Sequence, residues 1–216
     1  MATCDSRVSA FSWGKALLLL LWMVQLAQAE PNAACKNFPS KEKYDGDDQC
    51  CIMPRVFTNE TVEQCASGME QSDKPQLQKS CEFASCVMKK HKLLKSDGRF
   101  DLDQLRSLIK DSLEASSEWK SLMERVVLDE CLPMVQKDSP NVMKELKSSL
   151  GDCDPVPAML VACSAAKLFT KCPSKDWSGS AQCNEWKTYF SKCSSSVEDL
   201  NEMFNQIESQ KLTNRR

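Results

Sequence analysis

The sequence predicts an all-α protein, a compact bundle of short helices cross-linked by about six disulfides around an apolar cavity. Three observations predict it. Apolar residues recur at helical spacing along most of the chain, and no segment shows convincing β alternation. Of the 13 cysteines in 216 residues, all but Cys4 follow position 29. The last five, Cys153, Cys163, Cys172, Cys183 and Cys193, fall at steps of 10, 9, 11 and 10 residues. Ten residues is about three helical turns, the step expected of short helices fastened to one another at their ends.

Residues 1–29 read as a signal peptide. Arg7 and Lys15 give a weakly basic start, Ala16 to Leu26 is apolar, and Ala27-Gln28-Ala29 offers a small-x-small cleavage site before Glu30. The apolar stretch is about half the ~20 residues that span a bilayer, and no second such segment follows. The mature chain is then Glu30 to Arg216, a single soluble domain in an oxidising, extracellular setting. Cys4 leaves with the leader, and the remaining cysteines, an even set, are expected to pair completely: Cys35, Cys50, Cys51, Cys65, Cys81, Cys86, Cys131, Cys153, Cys163, Cys172, Cys183 and Cys193. At this length the bridges supplement a real core instead of replacing it.

Residues 30–57 carry three cysteines, Pro39, Pro54 and the acidic turn Asp45-Gly46-Asp47-Asp48, and suit a disulfide-tied, loop-rich arm. A first helix starts near Thr58 or Asn59 and aligns Val62, Cys65, Ala66 and Met69. Asn59-Glu60-Thr61 is an N-glycosylation sequon at that exposed start. Pro75 opens the next helix, which places Leu77, Cys81, Ala84 and Met88 on one stripe and runs to about Leu94, before the Ser96-Asp97-Gly98 turn.

The strongest amphipathic stretch follows. Asp101 caps a helix with Leu102, Leu105, Leu108, Ile109 and Leu113. Ser117 starts another, with Trp119, Leu122, Met123, Val126 and Val127 facing inward, and Pro133 is expected to bend or stop it after Cys131. Ser139-Pro140 then begins a short helix through Leu150, with Gly151 ending it. Pro155 and Pro157 lead into Met159, Leu160, Cys163, Ala166 and Phe169, stopping at Cys172-Pro173. After a loop at Trp177 to Gly179, the stretch from Ala181 to Cys193 brings Trp186 and Phe190 to one face. The last helix, Val197 to about Ile207, aligns Val197, Leu200, Phe204 and Ile207. Residues 174–216 form a C-terminal extension.

Composition excludes several classes. Without Asp5, Arg7 and Lys15 the mature chain holds 26 basic and 29 acidic residues, with the signs interspersed. No basic stripe suited to phosphates is visible, so nucleic acid is not an expected partner. His91 is the sole histidine and sits among Lys89, Lys90 and Lys92, which reads as a solvated basic face; no nucleophile–base pair that uses histidine can be assembled, and no catalytic residue is assigned. The absence of a Cys-x2-Cys knuckle argues against a metal, and no cofactor is expected.

The later cysteines, spaced Cys86-x44-Cys131-x21-Cys153-x9-Cys163-x8-Cys172-Pro173, together with Cys50-Cys51-Ile52-Met53-Pro54, resemble the insect odorant-binding proteins of the Plus-C type. The resemblance covers most of the mature chain. In one respect the chain departs from that family: Cys81 and Cys86 are separated by four residues where the family's pair is separated by three, which moves them to neighbouring helical faces. The resemblance implies core bridges Cys65 to Cys86, Cys81 to Cys163 and Cys131 to Cys172. Either Cys65 or Cys51 can serve as the first core cysteine, and the others would bind the arm and the extension. Adjacent Cys50 and Cys51 are not expected to bond to each other, given the strain such a bridge imposes.

By the same resemblance the protein is a non-enzymatic extracellular carrier of small hydrophobic molecules such as odorants or pheromones. It would work in sensillum lymph or another extracellular fluid, as a monomer or homodimer, with a chemosensory receptor as a further partner. The physics suits a carrier: an empty cavity costs about 24 cal/mol per Å³, and bridges that contribute about 2–4 kcal/mol each offset it. Candidate lining residues from the apolar faces are Leu105, Ile109, Trp119, Met123, Val127, Leu160 and Phe169. With only His91 able to titrate near neutrality, release by a pH switch is a weaker expectation than for the family at large, and release by equilibrium or at a receptor is an equal expectation. Two other classes stay in view. A plant-type lipid-transfer protein also has adjacent cysteines, but needs a Cys-x-Cys element that is absent here and a much shorter chain. A secreted interaction protein would use the scaffold as a rigid surface for a protein partner, and saturable uptake of apolar molecules distinguishes a carrier from it.

Overall fold

The computed structural model describes residues 32–39, 50–69 and 72–213. The expected signal peptide, Cys4, Glu30 and the acidic Asp45–Asp48 turn lie outside these residues. Among the described residues eight α-helices occur in order: α1 Asn59–Ala66, α2 Gln76–Lys90, α3 Leu102–Ser107, α4 Ser117–Glu124, α5 Leu132–Leu150, α6 Val156–Thr170, α7 Ala181–Lys192 and α8 Val197–Thr213. Short 3-10 turns cover Ala33–Lys36 and Ser174–Asp176. Among the described residues there is no strand, only isolated bridges between Cys51 and Trp177 and between Leu94 and Phe100.

Helix starts read from sequence are capped by local side-chain bonds. Thr58 accepts from the Thr61 amide, Asp101 from Gln104, and Ser116 from Trp119. Each satisfies an N–H that the first helical turn leaves without a partner. Asn59 is the exposed first residue of α1.

Several helix boundaries differ from expectation. α2 stops at Lys90, not Leu94, because Lys92 takes a left-handed φ of 57°. The Lys92 amide donates to Lys89 O and the Leu93 amide to Met88 O, which closes the helix as a Schellman turn. That site usually calls for glycine, so the lysine hid it. Pro133 does not stop the chain after Cys131. Arg125–Cys131 widens into a π-helical stretch in which the Leu132 amide donates to Val127 O, five residues back, and α5 continues from there. Proline has no N–H to lose at a junction where the hydrogen-bond register is already shifting. Pro140 likewise lies inside α5 instead of beginning a helix. The Ser139 hydroxyl donates to Gln136 O at 3.4 Å, satisfying the carbonyl that the Pro140 nitrogen cannot. α5 ends where expected, with Gly151 at φ 60°. α8 extends to Thr213, beyond the expected end; the side chains of Phe204 and Ile207 lie outside the description.

All twelve described cysteines are paired: Cys35–Cys193, Cys50–Cys183, Cys51–Cys172, Cys65–Cys86, Cys81–Cys153 and Cys131–Cys163. The Cys65–Cys86 bridge is the one implied by the resemblance. The other two implied pairs are corrected, because Cys81 takes Cys153 in place of Cys163, and Cys131 takes Cys163 in place of Cys172. The four-residue gap between Cys81 and Cys86 sets them about 140° apart around α2. Cys86 therefore faces α1 while Cys81 faces the α5–α6 connection, where Cys153 lies. Cys163, about two turns into α6, is left to face the π-helical stretch and Cys131. Cys172 is then free for Cys51, and the adjacent Cys50 reaches Cys183.

Three bridges with sequence separations of 158, 133 and 121 fasten the N-terminal arm to the C-terminal third. Polar contacts reinforce the joint. The Asn32 amide donates to the buried carboxylate of Asp199 at 2.7 Å, and Ser195 Oγ donates to its other oxygen at 2.7 Å. Tyr189 donates its hydroxyl to Cys35 O at 2.8 Å. Burial, aided by the negative charge of Glu202, pushes the Tyr189 phenol up to about 12.

Candidate ligand-binding groove

α6 has two working faces. Leu160, Cys163 and Leu168 are buried in the core. On the other side Ala158, Ala162, Ala165, Ala166 and Phe169 form a stripe at helical spacing, and Ala165 and Val161 are exposed. Alanines carry too little volume to fill the distance to neighbouring helices, so the helix leaves space on this side. The space is a groove of about 910 Å³, open along part of its length.

α2 supplies one wall through Leu77, Lys79, Ser80, Phe83 and Ala84; α5 supplies Val142, Leu146 and Leu150. α8 closes part of another side with Val197, Leu200, Asn201, Met203 and Asn205. Met53 of the arm and Met69 after α1 reach the rim. Met53 is 41% exposed. At one end Phe169 meets Phe190 edge-on at 5.1 Å and Trp177 at 5.2 Å. The Cys81–Cys153 bridge lies in the wall itself and fixes α2 to the start of α6.

Of the seven lining candidates chosen from sequence, Phe169 alone borders this groove. Leu105, Ile109, Trp119, Met123 and Leu160 are buried in the core, and Val127 packs against it half-buried. Trp119 also donates its ring N–H to Asp176 Oδ2 at 2.7 Å, a structural bond. Sequence reasoning took the strongest amphipathic faces as cavity walls, whereas large side chains facing inward fill space. The signal that marks the groove is the alanine stripe on α6.

His91 is also corrected. Its ring is half-buried against Phe57, with centroids 5.0 Å apart, and is not a freely solvated member of the basic run. It does not border the groove. No cluster of three or more metal-ligating side chains occurs among the described residues, and no described helix is long and apolar enough to cross a membrane.

A helical scaffold with twelve bridged cysteines, an arm stapled to the C-terminal third and an apolar groove defines a class, and the comparisons agree with it. Residues 47–189 match the family model described as AgamOBP47-like. The chain belongs to that family of odorant-binding proteins, and its cysteine set fits the Plus-C type. General odorant-binding protein 68 of Anopheles gambiae is 53% identical over 212 residues, covering 98% of this chain and 99% of that one. Odorant-binding protein 47 of the same species is 28% identical over 156 residues, covering 67% and 68% of the two chains.

Proposed function

We propose that the groove between α2, α5, α6 and α8 takes up small hydrophobic molecules of the odorant kind and carries them through an extracellular fluid with no chemical step. The observation that carries this reading is the groove itself, about 910 Å³ and walled mainly by Ala, Leu, Val, Met and Phe side chains. The names of both Anopheles relatives point the same way. The oxidised cysteine framework supports secretion behind the leader at residues 1–29. The sole histidine is outside the lining, and an open side lets ligand exchange without unfolding, so both favour release by dilution or at a receptor over a pH switch. A glycan on the exposed Asn59 belongs to the same reading, and a mass loss on enzymatic deglycosylation of the secreted protein checks it.

The test uses oxidised protein shown by mass to lack free thiols, titrated with an environment-sensitive apolar dye and then competed with volatile hydrophobic compounds. Stoichiometric, displaceable binding in the micromolar range, about −8 kcal/mol, is the expected result. A well-folded sample that binds none of them sinks the carrier reading and moves attention to protein partners.

A further inference from the structure

The groove is apolar along its walls and ionisable at one point. We propose that Lys79 binds the carboxylate of an elongated apolar acid, making an unbranched long-chain carboxylate, not an uncharged volatile, the preferred ligand; this rests on the groove being the ligand site. Apart from the bridged Cys81, Lys79 is the one acid or base among the described lining residues. It is half-buried in the first turns of α2, and its ammonium has no hydrogen bond or ion pair with any described residue. The nearby acid on the same helix does not serve it: Glu82 is held by Lys74 at 2.7 Å and by Gln78 at 3.0 Å. An ammonium with no partner in the protein gains from an anion that approaches through the groove.

Its neighbours give the ligand a direction. Gln76, Lys79 and Ser80 lie at helical spacing and make a polar mouth, with Gln76 and Ser80 exposed. Beyond them Leu77, Phe83 and the alanines of α6 offer only apolar surface. The volume of about 910 Å³ lies near the top of the ~300–1,000 Å³ range of small-molecule sites. A compact volatile leaves most of it unfilled, whereas a long chain occupies a larger share and leaves its head at the mouth.

The experiment displaces N-phenyl-1-naphthylamine from the oxidised protein with hexadecanoic acid, its methyl ester and octanoic acid, in the wild type and in Lys79→Met and Lys79→Glu. In the wild type the acid should bind about five- to tenfold more tightly than the ester. Octanoic acid should bind at least ~100-fold more weakly than hexadecanoic acid, since each lost methylene weakens binding about fourfold. Lys79→Met should bring acid and ester level, and Lys79→Glu should reverse the preference. Equal binding of acid and ester by the wild type, or a preference that survives Lys79→Met, overturns the role of Lys79. Octanoic acid matching hexadecanoic acid overturns the long-chain assignment. Failure of dye and ester alike to bind defeats the carrier reading itself, a different result from either.

Discussion

Between Leu102 and Cys131 the chain turns Leu105, Ile109, Trp119, Met123 and Val126 inward, and all five are buried in a solid core. Between Ala158 and Phe169 it presents small side chains to α2 and α8, and the space between them stays open. Both stretches are apolar, and they differ in side-chain volume. The comparison teaches that periodicity tells which face avoids water, while volume tells whether that face packs or leaves a gap. The open region can exist because it is framed by bonds instead of contacts, with the Cys81–Cys153 bridge in its wall and Cys131–Cys163 on the opposite side of α6.

The sharpest break of this comparison is truncation in the solid half. Trp119→Ala removes a buried ring and orphans Asp176, and should cost about 3–5 kcal/mol in chemical denaturation. A cost under ~1 kcal/mol would show that this half is no better packed than the groove. Next comes the frame: the double change Cys81→Ser and Cys153→Ser should lose about 2–4 kcal/mol of stability and weaken dye binding as well, because the bridge lies in the groove wall. Unchanged dye affinity in that variant would separate the frame from the site.

Filling the groove should do the reverse. Ala165→Phe places a ring in the open space from an exposed position, so stability should move by no more than ~0.5 kcal/mol while dye affinity falls about tenfold or more. A large loss of stability with binding intact would mean that α6 packs there as a core helix.

The smallest effect tests the charged edge of α6. Burial alone would raise the Glu130 carboxyl, but hydrogen bonds from Lys171 and from Lys167, the latter at 3.3 Å, and their charges outweigh it and hold the group below its ordinary 4.5. A lowered folded value stabilises the fold above the unfolded value and loses that contribution as the pH falls through the folded one. Glu130→Gln should therefore cost up to about 1 kcal/mol at neutral pH, solvent screening keeping it small. The difference from wild type should shrink as the pH falls below the ordinary 4.5 and vanish once it is below the lowered folded value. A difference that persists in acid would indicate lost packing instead of lost charge.

Much of the fold was legible because its causes are local. Thr58, Asp101 and Ser116 act on amides within three residues, and Gly151 terminates α5 through its own φ. The misreadings also have physical sources. Lys92 occupies a left-handed position without the usual glycine, and Pro140 is tolerated because a neighbouring hydroxyl takes its orphaned carbonyl. The groove was less legible. Among the residues that line it, Phe169 was chosen from sequence and the alanine stripe of α6 was not, since apolar strength was taken as the mark of a cavity wall.

By itself the sequence determined the all-α class, the order and most boundaries of the helices, and a cysteine set that demands an oxidised framework, because periodicity, caps and cysteine number are properties of neighbouring residues. Tertiary structure alone decided that Cys81 meets Cys153 and Cys131 meets Cys163, and that the open space lies beside the alanines of α6 and not beside Trp119. Pairing and volume depend on which faces are opposed once the helices cross.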